Sequence, residues 1–282
     1  MHPSALEFGM RFFDAYCKNR SGIAVVEVGS QIINGSLRDV FPDGADYIGA
    51  DFCEGKGVDV VLDDPYKLPF GDGTVDVIVC SSVFEHSQFF WVLFLEIIRI
   101  LKPEGLFYLN APSNGYVHRY PVDCWRFYPD SGSALVEWAE RNGYTPALLE
   151  SFVGEKNYES IDNDAWNDFV AVFVKDIRFR AQYERRIIHS LDKYTNAYCD
   201  DGVTESKASS FTDDFLIITT KNAEITRLNQ SLSDRDGQIA NLNREIAERD
   251  GVISQIFSTT SWRITLPLRV VKAFFTNNLS GK

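Results

Sequence analysis

The chain of 282 residues is 45% hydrophobic and 24% charged, a composition typical of a globular protein with one large core and additional segments. Residues 1–220 hold 19 basic and 34 acidic side chains, whereas residues 221–282 hold 9 basic and 6 acidic ones. The acidic body argues against nucleic-acid binding, which depends on the neutralisation of phosphates by basic side chains.

Three further features exclude other classes of protein. The N-terminal residues lack a basic segment followed by an apolar run, so no signal peptide is expected. The apolar run from Phe89 to Leu101 is interrupted by Glu96 and Arg99 and is too short to span a bilayer. The five cysteines form no C-x-x-C pair, so neither a disulfide framework nor a zinc site is predicted, and no motif demands another metal. The expected compartment is the cytoplasm.

Apolar, β-branched runs alternate with helical patterns along the first 176 residues. Strands are predicted at 23–29, 46–52, 58–62, 75–81 and 105–112, and helices at 36–41, 89–103 and 131–144. Two later strands, at 147–154 and 168–176, have no helical pattern between them, which favours an antiparallel hairpin at one sheet edge. The pattern predicts an α/β fold with a doubly wound, mostly parallel sheet that ends in this hairpin.

The pattern changes after Asp176. Residues 177–194 carry a helical pattern, and residues 198–210 are polar and loop-like. Apolar residues then recur every seven positions, and a second set follows three positions after members of the first. The first set is Ile225, Leu232, Ile239, Ile246 and Ile253, and the second is Leu228, Leu242 and Ile256, with Arg235 and Arg249 interrupting it. This repeat favours a parallel two-stranded coiled coil, and the alternative is a helix that packs on its own domain.

The C-terminal tail combines apolar, aromatic and basic side chains. Leu266, Val270 and Phe274 are interleaved with Arg269 and Lys272. Such a segment can lie on an anionic membrane surface, and the alternative is an apolar strap that packs on the body of the protein. The sequence therefore predicts four segments: a main domain at 1–178, a helical and loop connector at 179–221, a coiled coil at 222–257 and a basic amphipathic tail at 258–282.

Polar residues stand at the ends of the five predicted parallel strands. In an open parallel sheet, ligands bind beyond the carboxyl ends of the strands. Gly29 allows a ligand to approach the backbone, and an acidic residue about 20 positions further on, here Asp51, can accept hydrogen bonds from both ribose hydroxyls. The strand-end residues in chain order are Glu27, Gly29, Ser30, Asp51, Asp64, Ser81, Glu85, His86, Asn110 and Ser113.

Four stretches carry a resemblance to a known family. They are VVEVGS at 25–30, YIGADF at 47–52, LDDPYKLPFGDGTVDVIVCSSVFEH at 62–86 and EIIRILKPEGLFYLNAPS at 96–113. Through them the chain from Gly22 to Lys175 resembles the class I, Rossmann-like S-adenosylmethionine-dependent methyltransferases. The resemblance implies a seven-stranded sheet ending in the antiparallel hairpin, S-adenosylmethionine as cofactor, and transfer of its methyl group to an acceptor.

The resemblance also implies which residues contact the cofactor. Glu27, Gly29 and Ser81 would lie near the methionine part, Asp51 on the ribose, Phe52 beside the adenine, and Asp64 on the adenine amine. Ser30 and Gln31 complete the predicted cofactor loop, where Gln31 would bond the methionine carboxylate or amine. Gln31 and Ile33 depart from the G-x-G usual in the family, a departure that a cofactor without phosphates tolerates.

Methyl transfer to an oxygen requires an acceptor held in line and, where that oxygen is not ionised, a base. The candidate catalytic residues are His86, His118, Asp123 and Glu85. Residues 110–131 are dense in aromatic and polar side chains, which favours a carbohydrate- or aromatic-binding wall. The alternative for this segment is a packed loop held by its prolines, and the alternative for His86 is to cap the next helix or to bond the backbone.

The string SWRITLPLR at 261–269 follows the heptads and resembles the C-terminal tails of bacterial enzymes that build cell-surface polysaccharide. This resemblance implies a saccharide acceptor and contact with the inner face of the membrane. The leading hypothesis is a homo-oligomeric O-methyltransferase that acts on a saccharide or related small-molecule hydroxyl. The other is a weakly active or inactive scaffold of the same fold, which recruits partner enzymes through the coiled coil and tail. Gln31 and Ile33 favour the scaffold, whereas the acidic strand ends favour the enzyme.

Overall fold

The computed structural model describes residues 3–33, 35–41, 44–154, 166–200 and 209–279. The chain divides into two compact units, Met1–Leu216 and Ile217–Lys282. The strands are β1 (Ala24–Val28), β2 (Asp46–Asp51), β3 (Val60–Val61), β4 (Val75–Ser81), β5 (Leu101–Pro112), β6 (Ala147–Gly154), β7 (Asp168–Val174) and β8 (Tyr194–Cys199). The helices are α1 (Pro3–Phe12), α2 (Phe90–Ile100), α3 (Ser131–Arg141), α4 (Asp213–Ser258), α5 (Thr260–Ile264) and α6 (Leu266–Leu279).

The eight strands form one sheet in the order β3-β2-β1-β4-β5-β7-β6-β8. The pairs among β1 to β5 are parallel, whereas β7 pairs antiparallel with β5 and β6, and β8 pairs antiparallel with β6. The predicted α/β fold with antiparallel C-terminal strands is confirmed, and β8 extends the sheet to eight strands. The strand order reverses between β1 and β4, which is where sheets of this kind bind ligands.

Both faces of the sheet are covered, because successive strand residues point to opposite sides. On β1, Val26 and Val28 belong to one apolar cluster with Phe94 of α2. The intervening Val25 belongs to the other cluster, with Phe12 of α1. These strands are therefore apolar on both faces, which explains why their sequences are nearly continuous apolar runs.

Residues 177–199 depart from the helical pattern of their sequence. They form two short 3-10 turns, Ile177–Gln182 and Ile188–Ser190, and then β8. Glu150 of β6 is fully buried and accepts hydrogen bonds from the backbone N–H groups of Ile187 (2.7 Å) and Ile188 (3.0 Å). Because Glu150 binds these N–H groups, the chain turns at this point and continues as a strand beside β6.

The second unit consists of helical residues. Along α4 the apolar residues of the predicted heptads keep between 45% and 57% of their side-chain surface exposed. They are Ile225, Leu228, Leu232, Ile239, Leu242, Ile246, Ile253 and Ile256. Within the described residues, no helix combines the length and apolar character needed to cross a membrane.

Candidate functional site

A cavity of about 580 Å³ opens at the carboxyl ends of β1, β2 and β4, where the strand order reverses. This volume lies within the range of sites that hold drug-sized ligands. Most of the predicted cofactor residues line it: Glu27, Gly29, Ser30, Gln31, Asp51, Phe52 and Ser81.

Glu27 is a buried acid at the end of β1. Its Oε2 accepts a hydrogen bond from the Tyr47 hydroxyl at 2.9 Å, and the backbone N–H of Leu37 donates a second hydrogen bond to the carboxylate. Burial raises the pKa of the Glu27 carboxyl to about 7, although both hydrogen bonds favour the ionised form. Glu27 is therefore poised to ionise fully when a cation binds beside it.

Gly29 occupies a position that accepts no side chain. Its φ of +79° is in the left-handed region, and a Cβ there would lie 2.1 Å from Cγ2 of Val83. The backbone of β1 and the segment after β4 therefore come close together beside the cavity. This close approach explains the glycine independently of any phosphate-binding motif.

Asp51 is held rigidly at the end of β2. Its Oδ2 accepts a hydrogen bond from the backbone N–H of Gln31, and its Oδ1 accepts one from that of Cys53, both at 3.1 Å. Each carboxylate oxygen keeps a lone pair for a ligand, because a carboxylate has about four acceptor sites. The neighbouring Phe52 is 47% exposed and lines the cavity, so an apolar ring lies next to the fixed carboxylate of Asp51.

The Gln31 side chain links two loops. Its amide nitrogen donates to the backbone oxygen of Glu54 at 3.3 Å, and its Oε1 accepts a hydrogen bond from the Tyr120 hydroxyl at 3.0 Å. Gln31 thus connects the loop after β1 to the aromatic segment after β5. Both polar atoms of its side-chain amide have partners in the protein.

A second group of polar residues lines the same cavity and is called here the Glu–His–His cluster: Glu85, His86 and His118. Oε1 of Glu85 lies 3.7 Å from Nε2 of His86, and the two imidazole centroids are 4.8 Å apart. Burial raises the pKa of Glu85 to about 8 and lowers that of His86. A hydrogen bond from the backbone N–H of Cys124 to the Glu85 carbonyl, at 2.7 Å, joins the segments that carry the two histidines.

Asp123 lies beside the cluster and does not line the cavity. Both of its oxygens accept hydrogen bonds from the Arg126 guanidinium, and Oδ2 also accepts one from the backbone N–H of His118. The Arg126 hydrogen bonds hold the pKa of Asp123 at about 2. So acidic a carboxylate is a weak base, and its hydrogen bonds connect Arg126 to the backbone of His118.

Comparison with protein-family models gives one match. Residues 36–109 match the model described as a methyltransferase domain. The chain contains an S-adenosylmethionine-dependent methyltransferase domain. Its cofactor is S-adenosylmethionine. No curated protein matches the chain at a significant level.

Solved structures of several proteins resemble the methyltransferase domain at low sequence identity. YcgJ of Bacillus subtilis is 14% identical, over 62% of this chain and 99% of that chain, with a TM-score of 0.43. The 1,6-didemethyltoxoflavin-N1-methyltransferase of Burkholderia thailandensis, solved with S-adenosylhomocysteine, is 13% identical over 61% and 79%, with a TM-score of 0.45. A methyltransferase of Archaeoglobus fulgidus is 18% identical over 60% and 93%, with a TM-score of 0.42.

The cavity of the methyltransferase domain fits this cofactor chemically. Ser81 Oγ is buried at the end of β4 and has no hydrogen-bond partner in the described part of the chain. Ser30 Oγ, at the end of β1, is also buried and has no hydrogen-bond partner among the described residues. Buried hydroxyls of this kind are expected to bond a ligand or water. With the Asp51 acceptor and the Phe52 ring, they match a nucleoside that carries an amino-acid side chain.

Asp64 is the predicted cofactor residue that the methyltransferase domain does not bring into the cavity. Its Oδ1 accepts a hydrogen bond from the backbone N–H of Tyr66 at 2.8 Å, which forms a local turn. Pro65 and Tyr66 line the cavity in its place. Short acidic side chains at strand ends often bond their own backbone, and this competition explains the difference.

Sequence reasoning missed Trp166 and Asp168, which also line the cavity of the methyltransferase domain. The Trp166 ring lies 4.7 Å from the His118 ring, and Asp168 pairs with Pro112 where β7 meets β5. Because β7 is antiparallel, its first residues lie at the same sheet edge as the last residues of β5. The predicted hairpin could have identified both residues, because the start of its second strand lies beside the carboxyl ends of the parallel strands.

Proposed function

We propose that the protein transfers the methyl group of S-adenosylmethionine to a hydroxyl oxygen of a small molecule, and that this molecule is a saccharide. One observation carries the proposal: the predicted cofactor residues and the Glu–His–His cluster line a single cavity. A methyl donor and an acceptor must meet in line, and a shared cavity permits this.

The cofactor end of the cavity is assigned to the strand ends. When bound, the cofactor supplies a methyl group on a positively charged sulfur. Asp51 would accept hydrogen bonds from the ribose hydroxyls, and the exposed Phe52 ring would contact the adenine. The partly ionised Glu27 and the unpartnered Ser81 hydroxyl support a position for the methionine part beside them.

The acceptor end is assigned to the Glu–His–His cluster, with His86 and His118 as the proposed catalytic residues. Nδ1 of His86 lies 2.5 Å from the carbonyl oxygen of Val122, which can only accept a hydrogen bond. The proton of this imidazole therefore stays on Nδ1, and Nε2 keeps a lone pair. The proposed role of the cluster is to activate the acceptor hydroxyl, and Asp123 is a positioning residue that fixes His118.

Aromatic rings beside the cluster support a saccharide acceptor. Tyr116, Tyr120 and Trp125 are all more than one-third exposed in the segment after β5. Exposed rings with polar groups between them suit the apolar faces and hydroxyls of a sugar. The tail's resemblance to enzymes of surface-polysaccharide synthesis agrees with this class of acceptor.

A transfer assay with labelled methyl groups tests this proposal. Full-length protein is incubated with labelled S-adenosylmethionine and matched panels of free sugars, nucleotide sugars and amines. We expect label on a sugar hydroxyl, and we expect His118→Ala to lower kcat about 100-fold or more while cofactor affinity is unchanged. Label on amines alone would contradict an oxygen acceptor. Cofactor binding without label on any acceptor would favour the scaffold hypothesis.

We further propose that residues 222–257 form a parallel coiled coil between two copies of the chain. The seven-residue repeat of half-exposed apolar side chains along α4 supports this. Residues 258–282 are assigned to contact with an anionic membrane surface, although 280–282 lie outside the described residues. Exposed Leu268, Val271 and Phe274 on α6, together with Arg269 and Lys272, support that assignment.

Truncation after Lys221 tests both assignments. We expect the full-length protein to sediment as a dimer at micromolar concentration and to co-sediment with phosphatidylserine vesicles, and we expect the truncated protein to do neither. The doubly charged variant Leu232→Asp/Ile239→Asp should also be monomeric, whereas Gln230→Asp/Ser233→Asp, which adds the same charge away from the apolar repeat, should remain dimeric. A monomeric full-length protein that ignores vesicles would contradict both assignments.

A further inference from the structure

We propose that the Glu–His–His cluster binds a divalent transition-metal ion. One carboxylate oxygen of Glu85 and one ring nitrogen each of His86 and His118 lie within 4.8 Å of one another. Two imidazoles and one carboxylate are a common ligand set for first-row divalent ions. The three groups come from two segments of the chain that a backbone hydrogen bond, Cys124 N–H to Glu85 O, holds together.

Each imidazole has an acceptor oxygen near one of its ring nitrogens, as histidines in metal sites of proteins do. Nδ1 of His86 lies 2.5 Å from the carbonyl oxygen of Val122, and Nδ1 of His118 lies 3.4 Å from Oδ2 of Asp123. The hydrogen bond at Nδ1 of His86 places the proton of that imidazole there and leaves Nε2 to bind an ion, whereas Nδ1 of His118 makes no hydrogen bond in the described part of the chain. Asp123 is itself fixed by Arg126 and accepts a hydrogen bond from the backbone N–H of His118, so these contacts hold the backbone that carries His118.

Glu85 supplies an independent observation. It is 1% exposed, and its Oε2 has no hydrogen-bond partner among the described residues. Burial of a carboxylate oxygen without a partner is costly, so such a group normally pairs with a cation or a donor. The two terminal nitrogens of the nearby Arg126 donate to Asp123 and to the carbonyl oxygens of Tyr116 and Trp125, and its Nε makes no hydrogen bond among the described residues. A bound ion would complete the coordination of this oxygen.

Three protein ligands leave further coordination positions open toward the cavity. On the proposed function, on which this step rests, the acceptor hydroxyl oxygen binds the ion, and its pKa falls. Its proton passes to water, and the oxygen then forms a bond to the methyl carbon while the carbon–sulfur bond breaks with its electron pair on sulfur. The inference thus selects hydroxyl acceptors that can bind a cation, such as the vicinal diols of sugars.

Titration of the full-length protein with Mn²⁺ tests the ion site directly. Mn²⁺ accepts nitrogen and oxygen ligands and binds thiols weakly, so the exposed Cys53 and Cys124 do not compete for it. Loss of the electron paramagnetic resonance signal of free Mn²⁺ reports binding. We expect one tight site per chain, weakened at least tenfold in Glu85→Gln and in His118→Asn.

Matched controls come from the same chain. Glu140→Gln and His189→Asn change an exposed carboxyl and an exposed imidazole, and both variants should retain the site. Equal Mn²⁺ affinity in wild type, Glu85→Gln and His118→Asn would overturn the inference, as would the absence of a tight site in the wild type. Cofactor affinity is measured in the same samples. A wild-type protein that binds the cofactor but has no tight Mn²⁺ site would overturn the ion site and leave the proposed methyl transfer intact. A wild-type protein that binds Mn²⁺ but not the cofactor would support the ion site and contradict the proposed function.

Discussion

An Asp51→Asn variant is expected to bind S-adenosylmethionine about 100-fold more weakly than the wild-type protein. The ribose would lose a charged acceptor that bonds both of its hydroxyls, and hydrogen bonds to charged groups contribute about 1.5–3 kcal/mol each. A loss of about 2.8 kcal/mol corresponds to 100-fold. The amide NH₂ of asparagine would also face the backbone N–H of Gln31 or Cys53, which now donate to the carboxylate. Calorimetric titration at pH 8 measures the effect.

Asp46→Asn is the matched control for this variant. Asp46 is exposed at the other end of the same strand, so its substitution should leave cofactor affinity unchanged. Equal affinity of Asp51→Asn and wild type would reject the assignment of Asp51 to the ribose. A structural role of Asp51 alone would instead lower the free energy of unfolding without a specific loss of binding, and urea denaturation distinguishes this case.

A Glu27→Gln variant is expected to be more stable than the wild type at pH 8 and yet to bind the cofactor more weakly. The Glu27 carboxyl has a pKa of about 7 in the folded protein and an ordinary value of 4.5. The buried negative charge therefore destabilises the unliganded protein by up to about 3 kcal/mol above pH 7. Glutamine removes this charge and can still accept the hydrogen bond from Tyr47. Urea denaturation and calorimetry measure the two effects.

The pH dependence has a defined sign. Between pH 4.5 and 7 the folded state retains a proton on Glu27 that the unfolded state has lost, so this group lowers stability as the pH rises through that window. The difference in the free energy of unfolding between Glu27→Gln and wild type should therefore increase from pH 4.5 to 7 and stay constant above pH 7. The cofactor carries a net positive charge and favours ionised Glu27, so wild-type affinity should fall up to tenfold per unit below pH 7.

Glu140→Gln, a change at an exposed position on α3, serves as the control for this charge change and should have little effect on either quantity. Glu85 also has a raised pKa, but it titrates in wild type and variant alike, so its effect cancels in the difference. A Glu27→Gln variant with unaltered affinity and the same pH dependence as wild type would show that Glu27 does not face the cofactor.

The sheet was predictable because local signals and tertiary structure agree in it. The runs that became β1 and β4 are apolar and rich in β-branched residues, and a glycine precedes each of them by one or two positions. Residues 177–199 were less predictable, because the apolar spacing that includes Ile187 fits a helix. Long-range groups decide their structure instead: Glu150 binds two of their N–H groups, and Asp200 pairs with Arg186.

The expectation that ligands bind beyond the carboxyl ends of parallel strands predicted only part of the site. Glu27 and Asp51 line the cavity as predicted, because the topology brings the ends of adjacent parallel strands together. Asp64 does not line the cavity, and its carboxylate bonds the backbone two residues later. The meeting of Glu85 with His118 was not readable from spacing, because it depends on the path of the loop that carries His118.

Calorimetric titration of the full-length protein with S-adenosylmethionine and with S-adenosylhomocysteine shows whether the cavity at the ends of β1, β2 and β4 holds the cofactor. We expect each ligand to bind one site per chain, and we expect Asp51→Asn to weaken the binding of both. This result is required if the cofactor lies beside the Glu–His–His cluster. Absence of detectable binding of either ligand at millimolar concentration would contradict this placement.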